Sequence, residues 1–191
     1  MNNNKKIINE FLNYISKVRK FSSHTIRSYR TDLEQFLVFL TSYNSKILIT
    51  DIDKSVIQHY IQKLSKSGIG DKTLLRKVST IKSLFKFLTF NNLVEFNIAE
   101  LIPSPKTSKK IPNYLTKKQV DKLMNLPDLT YNTGIMHRSI LELFYSTGMR
   151  ISELVNIKLN DVNIKNKTIK VRGKGNKERM VILGCEACDA I

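Results

Sequence analysis

Acidic residues are scarce in this sequence of 191 residues, with 16 Asp and Glu against 32 Lys and Arg and a formal net charge of +16 at pH 7. An excess of positive charge this large favours a polyanionic partner, nucleic acid before an anionic membrane. A lysine-rich, solvated surface is the alternative that charge alone leaves open. The hydrophobic fraction of 41% is high enough to fill a core, which excludes a disordered polybasic tail.

Long apolar runs and cysteines are also missing. No run of 18 apolar residues occurs, so no membrane span is predicted. The start, MNNNKKIINEFLNYI, lacks the apolar centre and the small-residue cleavage site of a signal peptide, and a cytoplasmic protein is therefore predicted. The only cysteines are Cys185 and Cys188, and two thiols cannot complete a tetrahedral zinc site. We therefore predict no metal site.

Apolar residues recur at helical spacing between residues 3 and 97, and they predict four helices with short connections. Residues that can cap or end a helix separate these segments: the serines of SSHT, the aspartates of DID and Gly68. A compact four-helix domain over residues 1–100 follows from this pattern.

One side of the fourth predicted helix, DKTLLRKVSTIKSLFKFL, carries only basic charge. At 100° per residue, four basic residues fall within an arc of about 120° beside the apolar stripe: Lys72, Arg76, Lys82 and Lys86. A solvated face usually mixes both signs, so contact with DNA phosphates is favoured over plain solvation. A second, weaker group of candidate DNA contacts lies on the second predicted helix: Thr25, Arg27 and Arg30.

Proline is concentrated in one segment, LIPSPKTSKKIP at 101–112, which holds three of the four prolines. This composition predicts an extended basic linker between residues 1–100 and a second domain at 113–191. In the second domain, Thr116 and Gln119 have capping-box spacing, and HRSILELFYSTG predicts a helix that ends at Gly148. A second helix over ISELVNIKL follows. The spacing of the apolar residues then changes from helical to strand-like. A short strand and a β-hairpin around residues 173–176 are predicted in the segment DVNIKNKTIKVRGKGNKERMVIL.

Two basic residues occupy breaks in this second domain. Arg150 follows the helix-ending glycine, and Lys174 lies between two glycines in the hairpin turn. An arginine at such a break can hold a phosphate with a fixed, always-charged fork, and a lysine in an open turn can protonate a leaving oxygen. The same spacing allows Arg150 to pair with Glu153 or a backbone carbonyl, and Lys174 to be a solvated turn residue. The residues alone leave both interpretations open.

The stretch YSTGMRISELVNIKLNDVNI, followed by VRGKGNKERMVIL, resembles the opening of the catalytic domain of tyrosine recombinases, closest to the bacterial Xer type. Upstream, SSHTIRSYRTDLEQFLVFL and KTLLRKVSTIKSLFKFL resemble that family's core-binding domain. The resemblance covers nearly the whole chain. It implies a mainly α fold, with a SAM-like four-helix core-binding domain followed by the N-terminal portion of an α+β catalytic domain with a small β-hairpin sheet.

The resemblance also implies site-specific DNA recombination, in which a tyrosine attacks a phosphodiester and forms a 3′-phosphotyrosine. Arg150 corresponds to the first catalytic arginine, Lys174 to the lysine that protonates the departing 5′ oxygen, and Glu153 to a site-organising acid. Lys177 and Arg179 are assigned to DNA binding. The family needs no metal or other cofactor, since arginines take the role of the ion. The implied partners are double-stranded DNA and further protomers, assembled as a tetramer on DNA.

Two elements of the family pattern do not occur after the hairpin in this sequence. The His-x-x-Arg box and the nucleophilic tyrosine follow the hairpin in the family, whereas every tyrosine here precedes Lys174. We therefore expect residues 113–191 to be an incomplete catalytic domain, and the chain to bind DNA without cutting it alone. The alternative is a non-catalytic DNA-binding protein derived from a recombinase, which occupies sites or regulates full-length partners.

Overall fold

The computed structural model describes residues 2–105, 112–173, 175 and 177–191. The chain divides into two compact units, Met1–Lys110 and Ile111–Ile191. Helices predominate and the sheet is small, so the predicted mainly α fold is confirmed. None of the helices in the described ranges combines the length and the apolar character that crossing a membrane would require.

Four α-helices build the first unit, as the apolar spacing predicted: α1 (Asn2–Lys17), α2 (Ser23–Tyr43), α3 (Lys54–Lys66) and α4 (Asp71–Phe90). Two helix starts follow the predicted capping chemistry. The backbone N–H of Thr25 donates to Oγ of Ser22, and that of Val56 donates to Oδ1 of Asp53 at 3.1 Å. Gly68, after α3, has a φ of +74°, which suits the glycine stop expected there.

Two short 3-10 helices, Ile49–Asp51 and Ile98–Leu101, were not predicted. The first is fixed by a distant side chain, because Oδ1 of Asn4 accepts the N–H of Ile49 at 2.9 Å. Nδ2 of Asn4 donates to the carbonyl oxygen of Ile47, also at 2.9 Å. Hydrogen bonds across more than 40 residues leave no local pattern that sequence spacing could reveal.

The apolar stripes of the four helices meet in one core, with the largest fully buried side chains at Phe11, Phe36, Phe85, Ile15, Leu33, Leu40, Ile49, Ile57, Leu84 and Leu88. Ile102 is also buried in this core, so the first unit extends beyond residue 100. Residues 106–111 of the predicted linker lie outside the described residues.

The described residues of the second unit form four α-helices and three strands: α5 (Lys117–Met124), α6 (Asn132–Thr147), α7 (Ile151–Leu154), β1 (Val162–Asn163), β2 (Thr168–Arg172), β3 (Glu178–Ile182) and α8 (Cys185–Asp189). The strands form an antiparallel sheet in the order β1-β2-β3. Thr116 and Gln119 form the predicted capping box at the start of α5. The predicted hairpin is confirmed by the β2–β3 pairing, which places Val171 opposite Arg179.

The predicted helix over ISELVNIKL is wrong in length, since α7 covers only four residues. After α7 the chain forms a 3-10 helix at Leu159–Asp161, where the Asp161 carboxylate accepts the N–H of Lys158 at 3.0 Å. This local cap competes with continuation of α7 because it satisfies backbone groups in another conformation.

The core of the second unit is small. Its buried apolar residues are Met149, Ile169, Val171, Leu183 and Ala187. Many large apolar side chains of this unit stay exposed, among them Tyr114, Leu126, Tyr131, Tyr145, Ile151, Val155, Leu159 and Ile182. The first unit is therefore the better packed of the two.

Candidate functional site

A break between α6 and α7 lies just before Arg150, and it sets the backbone of that residue. α6 ends at Gly148, whose φ of +60° is a left-handed conformation that glycine adopts without a steric penalty. Met149 is buried in the small core, and Arg150 then occupies the N-cap position of α7. The Arg150 side chain is 71% exposed, so an anchored backbone presents a solvent-facing guanidinium.

The Glu153 carboxylate, whose side chain is only 2% exposed, holds two arginines. Its Oε2 accepts the backbone N–H of Arg150 at 2.8 Å, and its Oε1 accepts Nη1 of Arg150 at 3.0 Å. From β3, Arg179 donates Nη1 to Oε1 at 2.7 Å and Nη2 to Oε2 at 2.9 Å, a bidentate pair. One carboxylate thus joins the start of α7 to the third strand.

These contacts set the charge of the cluster. The hydrogen bonds from Arg179, and next the backbone N–H of Arg150, lower the pKa of Glu153 to about 2. The same carboxylate raises the pKa of Arg179. Glu153 is therefore ionised at neutral pH. Since a guanidinium is always charged in proteins, two of them facing one carboxylate leave one positive charge uncompensated. This charge can attract an anion such as a phosphate.

The hairpin turn begins against this cluster. Gly173 donates its N–H to the carbonyl oxygen of Lys177 at 2.8 Å and closes the turn. A Cβ at residue 173 would lie 3.2 Å from Oε1 of Glu153 and 3.3 Å from Nη1 of Arg179, which is tighter than ordinary contact. Glycine therefore lets the β2–β3 turn approach the ion pair closely. Lys174, the next residue, lies outside the described residues, so its role at the site stays a prediction.

Two further residues of the hairpin were assigned to DNA binding. Lys177 is exposed in the turn. Arg179 is partly exposed, but its guanidinium is held by Glu153, a pairing across 26 residues that no sequence spacing indicated. The α7–β3 ion pair gives Arg179 a structural role beside the predicted contact with DNA.

In the first unit, the predicted basic residues of α4 differ in their surroundings. Lys72 and Lys86 are exposed, whereas Lys82 is half-buried and donates Nζ to Oγ of Ser104 at 3.2 Å. Arg76 reaches across to α2, where its Nη1 ion-pairs with Asp32.

The candidate residues of α2 lie in its first two turns. Arg27 and Arg30 are exposed, and they flank Ser28, whose carbonyl oxygen is 3.4 Å from Nη1 of Arg76. Thr25 is half-buried near the helix start, with its Oγ1 at 2.9 Å from Oγ of Ser22. Arg76 of α4 therefore lies against the turn of α2 that carries Arg27 and Arg30. We call the two predicted groups of basic residues together the basic face: Arg27, Arg30, Lys72, Arg76, Lys82 and Lys86.

Sequence reasoning missed the acidic residue beneath the basic face. Asp32 and Lys77 are 3% and 5% exposed, and their Oδ1 and Nζ atoms are 2.9 Å apart. A signal was available, because Asp32 lies four residues before Phe36 and Lys77 four residues before Ile81, both core positions. Opposite charges inside the apolar stripes of two helices indicate a buried ion pair.

A cation site was not predicted. Within residues 2–105, 112–173 and 177–191, no three His, Cys, Asp or Glu side chains are grouped so that they could hold a metal ion.

Two family models match consecutive parts of the chain. The family described as "Phage integrase, N-terminal SAM-like domain" matches residues 8–92, and the "Phage integrase family" matches residues 113–191. Together the two matches span most of the chain, in the order that the sequence motifs indicated. The chain belongs to the phage integrase family of tyrosine recombinases.

Curated relatives carry Xer names. The tyrosine recombinase XerD of Staphylococcus haemolyticus is 40% identical over 179 residues, covering 93% of this chain and 60% of the relative. The tyrosine recombinase XerC of Thermodesulfovibrio yellowstonii is 37% identical over 191 residues, covering 100% of this chain and 62% of the relative. The chain thus spans about three-fifths of the length of these relatives.

Solved structures share the fold at low identity. A lambda integrase dimer bound to a COC′ core site has a TM-score of 0.74 at 15% identity, covering 97% of this chain and 67% of that one. A lambda integrase tetramer bound to a Holliday junction has a TM-score of 0.73 at 16% identity, covering 96% and 52%. These likenesses support the fold assignment.

Proposed function

We propose that this protein acts in site-specific DNA recombination as a tyrosine recombinase, and that the present chain supplies its DNA-binding surface and part of its catalytic site. The observation that carries this proposal is the exposed Arg150 guanidinium, held by the buried Glu153 carboxylate beside the hairpin turn. Family membership and the curated relatives named as tyrosine recombinases support it.

The proposed chemistry uses fixed positive charge. When a tyrosine attacks a DNA phosphodiester, the pentacoordinate phosphorus carries extra negative charge on its non-bridging oxygens. Arg150 is suited to bind one of these oxygens, because its backbone is anchored and its guanidinium is always charged. Glu153 keeps that guanidinium in place. Lys174 then protonates the departing 5′ oxygen, as the family resemblance implies.

The two domains have separate proposed roles in DNA binding and catalysis. Residues 1–100, with Ile102 packed into the same core, form the core-binding domain, whose basic face contacts DNA phosphates, and the rest of the segment 101–112 links it to the catalytic portion at 113–191. Lys177 and Arg179 add contacts near the scissile phosphate. Protomers assemble on DNA as a tetramer, a proposal supported by the fold shared with the lambda integrase tetramer.

The present chain binds DNA without cleaving it. Its tyrosines all precede the hairpin that holds Lys174, whereas the family's nucleophile follows the hairpin. Incubation with a labelled duplex tests this directly, since a covalent protein–DNA adduct formed through tyrosine would contradict it.

The salt dependence of DNA affinity tests the proposed basic face. Replacing Arg76, Lys82 and Lys86 with alanine should lower the slope of log affinity against log salt concentration by up to about 3 units, at roughly 0.9 per phosphate contact. The Asp32 carboxylate keeps Lys77 as partner, so the variant should still fold.

A matched control removes three exposed lysines of α3: Lys54, Lys63 and Lys66. This control has the same net charge as the first variant but an intact basic face, and we expect a slope within about one unit of the parent chain. Equal slopes for the two variants would show that binding depends on net charge alone. A parent chain that does not bind duplex DNA would overturn the proposed function.

A further inference from the structure

A buried ion cluster lies between α2 and α4, apart from the groups assigned to the recombination chemistry. Asp32 accepts Nζ of Lys77 on Oδ1 at 2.9 Å and Oγ1 of Thr80 on Oδ2 at 3.1 Å. Lys77 also donates to Oε1 of Gln35. Buried charges require such partners. Asp32 and Lys77 already neutralise each other, and this pair needs no other ion.

A second cation nevertheless reaches the same carboxylate. Arg76 donates Nη1 to Oδ2 of Asp32, and the same nitrogen is 3.4 Å from the carbonyl oxygen of Ser28. The Arg76 side chain is 41% exposed. Since Lys77 balances Asp32, the guanidinium retains an uncompensated positive charge at the surface. Its Nε and Nη2 donate no hydrogen bond to any described residue.

We propose that Asp32 is a positioning residue for DNA binding, which holds the Arg76 guanidinium so that its outer edge donates to a phosphate of the DNA backbone. The inference rests on the proposed DNA-binding function of the basic face. A long side chain that is ordered before binding loses less conformational entropy on contact. Lys77 supplies the charge that allows a carboxylate beneath this surface without cancelling the charge of Arg76.

Simple electrostatics predicts the opposite effect of Asp32. A carboxylate close to a DNA-binding guanidinium repels phosphate, so its removal should tighten DNA binding. If Asp32 instead orients Arg76, its removal should weaken binding, even though the surface becomes more positive. The direction of the change in affinity therefore separates the two effects.

The test measures the affinity of the whole chain for duplex DNA after Asp32→Asn is combined with Lys77→Met. This double variant keeps the net charge and nearly the same side-chain shapes. The control is Lys77→Met alone, which keeps the Asp32–Arg76 contact. We expect the double variant to bind about tenfold more weakly than the parent, as for loss of one charge-assisted hydrogen bond. The control leaves Asp32 unbalanced by Lys77, so it should also bind more weakly than the parent. Electrostatics alone predicts that the double variant binds like the parent and more tightly than the control.

A double-mutant cycle links the effect to Arg76. Arg76→Ala should weaken binding by about tenfold in the parent chain, and by less than about threefold in the double variant, where the guanidinium is already free to move. Equal losses in both backgrounds would overturn the proposal, as would a double variant that binds as tightly as the parent.

Arg76→Lys provides a test that leaves the buried pair intact, should thermal unfolding show that the double variant does not fold. An ammonium is a point charge without the planar fork, so it should not hold Asp32 and a phosphate in fixed geometry together. We expect its affinity to approach that of Arg76→Ala. Parent-like affinity of Arg76→Lys would overturn the role of Asp32 while leaving DNA binding itself intact, whereas a parent chain without DNA affinity would overturn the proposed function.

Discussion

At the scale of single residues, the candidate site depends on the buried carboxylate of Glu153. It accepts three hydrogen bonds from the guanidinium groups of Arg150 and Arg179 and a fourth from the backbone N–H of Arg150. Arg179 and the Arg150 N–H stabilise its ionised form and lower its pKa from 4.5 to about 2. A group whose pKa is depressed by folding stabilises the folded state above its unfolded pKa, and this contribution is lost as the pH falls through the folded value. The relevant window therefore runs from about pH 5 down to about pH 2.

We predict that Glu153→Gln lowers the free energy of unfolding at pH 7, because the amide removes the charge shared by Arg150 and Arg179. The difference between the parent chain and the variant should shrink as the pH falls from 5 to 2. Denaturant unfolding at several pH values measures it. A difference that stays constant over this range would show that Glu153 is not ionised with a depressed pKa.

At the scale of secondary-structure elements, two glycines fix α6, the helix that leads to Arg150. Gly134 lies in its first turn, where an added Cβ would overlap the carbonyl oxygen of Asp128. Gly148 ends the helix with a φ of +60°, and an added Cβ would meet no atom within 4 Å. The first glycine is needed for space and the second for backbone conformation.

Gly134→Ala should destabilise the second unit by about 2 kcal/mol, because the methyl group overlaps the Asp128 backbone. In an uncrowded helix interior the same change stabilises by about 1 kcal/mol. The sign of the measured change in stability therefore shows whether the Asp128 backbone crowds residue 134. Thermal unfolding measures the effect. A raised melting temperature would contradict the close approach of Asp128.

Gly148→Ala should cost about 1 kcal/mol through the left-handed conformation. Gly148→Asn is the matched control and should cost less, since asparagine tolerates this region. Equal losses for the two variants in thermal unfolding would argue against a conformational origin.

At the scale of the whole molecule, the two units differ in how much apolar surface they bury. The first has a large core drawn from four helices, whereas five buried apolar residues form the centre of the second. Since burial of apolar surface is the main stabilising contribution, the second unit should open more readily.

Hydrogen exchange on the full chain measures this difference. We predict that amides of α2 and α4 exchange at least about tenfold more slowly than those of α6 and β2, as for a difference of about 1.4 kcal/mol or more in opening free energy. Equal protection in the two units would contradict the inference from core size. Duplex DNA should slow exchange in the basic face if the proposed function holds.

The helical pattern and the chemistry of the caps made much of the fold predictable. Thr116 and Gln119 were identified as a capping box from spacing alone, and Gly148 as a helix end, because these interactions join residues within one turn. The hairpin was predicted from the change of the apolar spacing from helical to strand-like. Arg150 and Glu153 lie three residues apart, so their pairing was among the alternatives that spacing allowed.

Contacts between distant segments were not predictable in this way. The bidentate bond from Arg179 to Glu153 joins a strand to a helix across 26 residues, and the 3-10 helix at Ile49 depends on Asn4. Asp32 and Lys77 occupied apolar stripes, which indicates burial, but spacing along one helix cannot tell which partner on another helix meets them. Only the packing of α2 against α4 decides that.

The sequence by itself determined the long helices, several of their caps, the hairpin and the family, because each depends on residues close together in the chain or on the motif order. The tertiary structure alone decided that two arginines share one buried carboxylate beside Gly173, and that Arg76 is anchored to α2 over a neutral ion pair. The physical reason is that a buried charge is stabilised by whichever opposite charge the fold brings within hydrogen-bonding distance, and that distance depends on packing and not on separation along the chain.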